Sequence, residues 1–550
     1  MDRPLKESLV IEFKSDLRCL PMDDLYKELV AMSNTDGGVL YLGVEDDGVV
    51  TGVNVQHINL TEMAAKIQTH SVPSIYPKLA MEKWNGKDVL AIRVVSSRQL
   101  IMTSDGRYLR RRLKGDGKPE VIPMAPYEIM QRLSSIQSID PSGMVIESVT
   151  AAKALNPLEH ERLRNMVRTY HGDSSLLGLS DTELDLALEL IKERDGVYYP
   201  TIAGLLLIGN EQYIREFVPG NEVLFQVMDG VNVLSNPSAM KGSLLSIFEK
   251  VDMLFQSRVT EQEIQVGLFR VPIPNYEHDA FREGFVNALV HRDYFRSGAV
   301  QIQLQTNSMT ISSPGGFPEG VTLDNLLTVS PTPRNRILAE AVKRIGLAER
   351  TGRGVDKIYQ SMLRSGHDLP DYSDSSPTAV ILRLNSAVMD ENFIRMLVTE
   401  EQRINEMMPV DALIVLASLR NERRVTLADL SKYIQKREAD ARSTVEWLVE
   451  LGLVEGVGNG KSRRYMLSSK VYALSGKKTA YTRQKGMAVI EEISLIERHV
   501  SKFGQIKRSE AAELCRCDKN HAYYLLSKMV HEGILVSEGA SRNVIYKKKS

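Results

Sequence analysis

The sequence predicts a multidomain α/β plus all-α chain, with the α/β units first. Three observations predict it. Residues 1–135 alternate strand-like and helix-like segments between glycines. Residues 278–385 join an amphipathic helix to a strand pair and two Gly-rich turns. Residues 409–467 and 486–547 repeat one order of helices closed by a Gly-containing hairpin. A chain of 550 residues exceeds what one hydrophobic core holds, so three to five units are expected.

Taken in order, "SLVIEFK" reads as a strand, and "MDDLYKELVAMSNT" places Leu25, Leu29 and Met32 at helical spacing. "GGVLYLGVEDDG" and "KDVLAIRVVSS" read as further strands. "GRYLRRRLKGDGK" is a basic segment bounded by glycines. Residues 136–200 read as a helical connector and 201–388 as a second α/β domain. Two C-terminal units follow at 405–470 and 485–550. The chain has 69 basic and 70 acidic residues, so any nucleic-acid surface has to be local. Three cysteines, two of them in C-R-C, make neither a disulfide framework nor a zinc spacing. With a charged N-terminus and no apolar run long enough for a bilayer, a cytoplasmic protein without a membrane partner is expected.

The first chemistry lies in "ESLVIEFK", where Glu7 and Glu12 precede Lys14, and in "YLGVEDDG", which ends on Asp46 and Asp47. If the two strands pair, Glu7, Glu12 and Asp46 come together as hard oxygen ligands for Mg²⁺ or Mn²⁺. The alternative is a solvated strand edge and an Asp-Asp-Gly turn. Arg107, Arg110, Arg111, Arg112 and Lys114, with Tyr108 among them, suit a phosphate-binding surface. In order and spacing, E-x4-E-F-K, N-T-x-G-G and G-V-x-D-x-G resemble the Schlafen-type AlbA domain. That resemblance covers 5 to about 133. It implies nucleic-acid association and, in nuclease-active members, a metal-dependent three-carboxylate site falling on Glu7, Glu12 and Asp46. Lys14 would then place the scissile phosphate. Other members are regulatory DNA-binding domains, so both readings stay open, as do DNA and RNA.

The second motif is "FREGFVNALVHRDY". On a helix, Glu283 and Asn287 share a face, where a carboxylate and a carboxamide can orient water and hold a metal-bound phosphate. "SSPGGFPEG" and "RTGRGVDKI" add Gly-rich turns, the second opening a helix, as phosphate sites often do. With "RNRIL", these segments resemble the GHKL ATP-binding class, in its branch often described as RecG-like C-terminal. The resemblance implies ATP and Mg²⁺, with Glu283 as general base and Asn287 as metal ligand. Gly315, Gly316, Gly352 and Gly354 would shape the pocket, and 317–350 would form a lid tied to dimerisation, making a homo-oligomer. Where that class places an adenine-reading Asp, this chain has Ser313, an uncharged acceptor, so ATP hydrolysis is left open. No Walker A motif is present, and no helicase is predicted.

The C-terminal units follow the winged-helix order. Their third helices begin near Arg442 and near Lys519 and Asn520. Lys461, Arg463 and Arg464 lie on the first hairpin and Arg542 on the second, where they would contact phosphates. Winged helices also bind proteins, and acidic Glu438, Asp440 and Glu446 dilute the first. Two functions therefore stand at this point. One is a metal-dependent nuclease on RNA or DNA, in phage defence or stress. The other is an ATP-responsive, DNA-binding transcriptional regulator.

Overall fold

A computed structural model describes residues 6–97, 99–135, 139–230, 232–235, 239–266, 269–349, 352–386, 390–422, 424–458, 463–474, 492–515, 519–538 and 544–548. The N-terminal unit is a four-stranded sheet in the order Ile11–Lys14, Gly38–Leu42, Lys87–Val94, Lys78–Trp84. The first pair is parallel and the others antiparallel. Side chains alternate across a strand, so the sheet has two apolar faces. Leu40, Leu42, Leu90 and Ile92 meet Leu25, Leu29 and Met32 of the Met22–Ser33 helix. On the other face Phe13, Tyr41, Trp84 and Val89 form a smaller cluster.

The N-T-x-G-G stretch joins this sheet to a hairpin of Leu109–Leu113 and Pro119–Pro123. Buried Asn34 donates to the carbonyls of Ile101 and Leu109 and accepts from the Ile101 amide. Thr35 accepts the Arg111 amide at 3.0 Å. Gly38 has φ +144° and lies so close to Val10 that a Cβ there would come 2.3 Å from its carbonyl oxygen. A side chain at that position would force the two paired strands apart.

Residues 139–200 are no free connector. Their helix Pro157–Thr169 contributes Leu163, Met166 and Val167 to one apolar core that runs on through Phe225, Phe248, Phe281, Ile302, Ile311 and Leu384. Asp140 Oδ2 accepts the Ile337 amide and Ser142 Oγ the Leu338 amide, together capping the Arg336–Ile345 helix. At its other end Gly172 and Gly346 meet backbone to backbone, and Arg344 pairs with Asp173 at 2.9 Å. The expected boundary at 200 therefore falls inside a single packed body.

The central sheet has five strands, in the order Asn232–Ser235, Val223–Asp229, Val300–Leu304, Ser308–Pro314, Ala379–Asn385. The His278–Val290 helix lies on it because Gly284 leaves room for Leu382 and Ile311. The C-terminal chain forms two helical units, each with a three-stranded sheet. In the first, helices Val410–Asn421, Leu427–Tyr433 and Glu438–Glu450 pack with strands Val425–Thr426, Val454–Val457 and Arg464–Leu467. In the second, helical residues 492–503 precede helices Arg508–Leu514 and Lys519–His531. Its strands are Gln505–Lys507, Leu535–Glu538 and Ile545–Lys548. Among the described residues, no helix is long and apolar enough to cross a membrane.

Candidate functional site

In the strand Ile11–Lys14, Glu12 and Lys14 are two residues apart and share a face, while Phe13 points to the opposite core. That face looks onto the Met22–Ser33 helix and the Arg111 strand. Lys14 Nζ lies 2.6 Å from Glu12 and 3.0 Å from Glu28. The Arg111 guanidinium bonds the other Glu12 oxygen and lies 3.6 Å from Glu28. Two cations and two anions thus close a neutral box, and Glu12 is 5% exposed. Burial and the Glu12 charge push the Glu28 carboxyl up. Burial opposes the Lys14 charge, but Glu28 and Glu12 outweigh it and raise its pKa.

This arrangement changes the expectation of a metal cage. Glu12 spends both oxygens on cations, and Asp46 sits on an exposed turn. Glu7 accepts the Phe13 amide at 3.2 Å. Among the described residues no group of three or more His, Cys, Asp or Glu is arranged to hold a metal ion. So the Glu7–Glu12–Asp46 cage for Mg²⁺ or Mn²⁺ is not assembled, and as arranged these residues do not fit the ion. The three acids are still neighbours: burial first, then the charges of Glu12 and Asp46, raise the Glu7 carboxyl. Glu28 escaped the sequence reading. Its signal was a carboxylate between Leu25 and Leu29, inside the apolar stripe of the helix.

The basic run is likewise mostly paired. Arg111 is buried, so it is not part of a phosphate-facing surface. Arg110 pairs with Glu128 at 2.5 Å, Arg112 with Glu120 at 2.6 Å, and Arg107 with Asp105 at 2.7 Å and Asp23 at 3.1 Å. Lys114 is exposed at the turn end of the hairpin.

The second site is built on the His278–Val290 helix. Glu283 is 2% exposed, and its Oε2 is buried without a hydrogen bond. Burial pushes its carboxyl up to about 7, against the pull of the Arg282 and Lys357 charges. Gly354 opens the Gly354–Arg364 helix directly over it. A Cβ on Gly354 would come 2.0 Å from Glu283 Oε1, so a larger residue there would push the carboxylate aside. Asn287, one turn on, is half-buried. His291 is pushed down to about 4 by burial and the Arg334 guanidinium.

The other glycines shape the surrounding turns. Gly315, at φ +101°, packs on buried Asp293; Gly316 lies against Pro377; Gly352, at φ +75°, lies against Pro331. Arg334 donates to the Gly316 carbonyl at 2.8 Å, and Asn335 donates to those of Val290 and Arg292. "RNRIL" therefore ties the helix end to the glycine turn. Ser313 donates to the Ala288 carbonyl at 2.6 Å, and its oxygen keeps lone pairs for an amino group. An orphaned buried carboxylate oxygen beside a glycine helix start fits a nucleotide site in kind. If nucleotide is held there, Asn287 would be the metal-side ligand and the glycine turns the phosphate cradle.

Of the C-terminal candidates, Arg463 is exposed and lies over the Tyr465 ring at 5.3 Å. Arg464 is half-buried in the sheet opposite Thr426. Lys519 and Asn520 start the last helix, both exposed, with Arg508 donating to the Lys519 carbonyl and Asn520 Oδ1. Tyr523 and Tyr524 are exposed on the same helix. Lys461 and Arg542 lie outside the described residues.

Comparison with known proteins finds family matches in both α/β segments. Residues 7–119 match the family described as Schlafen, AlbA_2. Residues 298–382 match one described as "Putative ATP-dependent DNA helicase recG C-terminal". The latter takes in Gly315, Gly316, Gly352 and Gly354 and leaves out Glu283 and Asn287. Residues 129–223 match a domain of unknown function, across the segment first read as a connector. No curated protein matches the chain. Among solved structures, the DIP2311 protein from Corynebacterium diphtheriae is 21% identical, with a TM-score of 0.52 over 98% of this chain and 95% of its own. That likeness shows a shared fold. An N-terminal domain of a putative ATP-dependent DNA helicase RecG-related protein from Nitrosomonas europaea is 22% identical. It covers 18% of this chain and 72% of its own, with a TM-score of 0.16, too low to carry an argument.

Proposed function

We propose that this chain, which joins a Schlafen AlbA_2 segment to a RecG-C-terminal-type ATPase segment, is a nucleotide-responsive nucleic-acid-binding protein. In this reading the central domain binds nucleotide and its state is felt by the C-terminal units, which contact DNA as tandem winged helices. One observation carries it. The Gly354–Arg364 helix presses Gly354 onto Glu283 at one end, and buries Tyr359 and Leu363 in the core of the first C-terminal unit. Gln435 adds a second link, donating to the Leu323 carbonyl and accepting the Leu327 amide of the lid-like loop. A group that moved either segment would move the C-terminal unit with it. Nucleotide-dependent dimerisation belongs to the same reading.

The test is duplex-DNA affinity of the full chain by fluorescence anisotropy, with ATP, with a non-hydrolysable analogue, and with neither. Affinity should change at least fivefold with nucleotide, and it should fall with salt as phosphate contacts require. Binding of nucleotide with no effect on DNA affinity would sink the coupling. Absence of DNA binding in every arm would sink the function.

The electrostatic coupling of Glu7 to Glu12 and Asp46 favours a second reading, a metal-dependent nuclease. It requires Glu12 to leave Lys14 and Arg111. Cleavage of labelled RNA and DNA with Mn²⁺ that is lost in Glu12→Ala would establish it. Metal-independent or absent cleavage would remove it.

A further inference from the structure

Outside both sites, three side chains of the N-terminal unit stand in line. Asp16 is 1% exposed and takes the His57 Nδ1 at 3.0 Å on each oxygen. A carboxylate only accepts, so Nδ1 carries a proton, and in the neutral ring Nε2 is left to accept. Cys19 Sγ lies 3.7 Å from that Nε2. The thiol also donates to Gln56 Oε1 at 3.3 Å, so it has two acceptors in reach.

The scaffold holds this line on purpose-built local structure. Asp16 also accepts the amides of Leu20 at 2.8 Å and Asn54 at 2.7 Å, locking the cysteine turn to the Val55–His57 turn. Cys19 is a non-glycine residue at φ +57°. That backbone costs on the order of 1 kcal/mol and persists where surrounding bonds hold it. It is half-buried rather than sealed. Three apolar side chains flank the two turns in the chain and face solvent: Leu17 at 64%, Val55 at 80% and Ile58 at 49% exposure.

We infer that Cys19, His57 and Asp16 form a nucleophilic thiol centre that adds to soft, uncharged carbon electrophiles of the activated-alkene class. A positioned base next to a thiol, itself oriented by a carboxylate, is the arrangement that activates such nucleophiles. The thiol proton passes to His57 Nε2 as the sulfur–carbon bond forms at the β-carbon. The alkene π pair moves to the α-carbon, which takes the proton back from Nε2. The product is a thioether, and nothing is released. The backbone favours addition over acyl transfer. The amide of Cys19 donates to the Asp16 carbonyl and that of Leu20 to its side chain. Neither is free to stabilise an oxyanion. The apolar flanks suit a neutral, apolar partner.

The experiment follows N-ethylmaleimide labelling of the full-length protein at neutral pH by peptide mass spectrometry. Cys19 is read separately from Cys515 and Cys517. In the native protein Cys19 should react at least tenfold faster than the same cysteine in urea, and this native-over-unfolded gain should exceed the gain with charged iodoacetate. His57→Gln should bring it to the unfolded-chain rate. A native rate equal to or below the unfolded one overturns the proposal, and this comparison needs no variant. An unchanged rate in folded His57→Gln also overturns it. So does sustained p-nitrophenyl acetate turnover lost in Cys19→Ser, which would make the centre an acyl-transfer site.

Discussion

With one oxygen buried and unmatched, Glu283 is easier to keep in the fold protonated than charged. Its carboxyl is raised to about 7 from an ordinary 4.5. Between those values the folded state binds more protons than the unfolded one, so stability falls as pH rises. The contribution is full below about pH 4.5 and lost by the time pH passes about 7, on the order of 3 kcal/mol in all. Glu283→Gln should therefore gain on the native protein across this window and hold a constant advantage above it, read as the thermal midpoint of the central unit. A flat difference from pH 4 to 8 would contradict the burial argument. The ion box makes the opposite kind of statement. Arg111→Met leaves Glu12 and Glu28 sharing one lysine, and removing one partner of a buried pair costs about 3–5 kcal/mol. Urea unfolding of the Trp447→Phe protein, whose remaining tryptophan is Trp84 in this unit, would show it. At this scale the sequence was half legible. Glu12 and Lys14 stood out because charges in an apolar strand are rare. Nothing in the spacing said that their third and fourth partners, Glu28 and Arg111, come from a helix face and from a hairpin about a hundred residues on.

The Gly354–Arg364 helix is a close fit at its first residue. Gly354→Ala puts a methyl 2.0 Å from a carboxylate oxygen, and overpacking of this kind costs about 1–3 kcal/mol. If Glu283 is what it strikes, Glu283→Ala should absorb most of that cost, and a double-mutant cycle on thermal stability would give a coupling of about 1 kcal/mol or more. Additive effects would mean that the helix start is fixed by something else. Elements of this kind read well from sequence: glycine at a helix start and the 3.6 periodicity of "GVDKIYQSMLR" both mark it. The helix at 336–345 read equally well, but its cap did not. Asp140 and Ser142 lie almost two hundred residues earlier, beyond the reach of any local capping pattern.

Across the whole molecule, the same helix and Gln435 link the central domain to the first C-terminal unit, as does Arg420, which donates to the Gly366 and His367 carbonyls. Gln435→Ala removes two hydrogen bonds to Leu323 and Leu327 without touching Glu283 or the glycines. Nucleotide affinity should stay within twofold of native, while any nucleotide effect on DNA affinity shrinks. Equal losses in both would place the loop in the binding site itself. The continuity of the core across residue 200 was not legible, since a shared core leaves no mark in local composition. That shared core has a bearing on how such a protein could arise. The Gly172–Gly346 contact and the Asp140 cap tie the 139–172 segment to the 336–346 stretch within one core. Recombination could exchange the AlbA-type unit as a cassette. A crossover between 139 and 346 would have to bring both halves of the cap and both glycines from one parent, so this stretch is expected to be inherited whole.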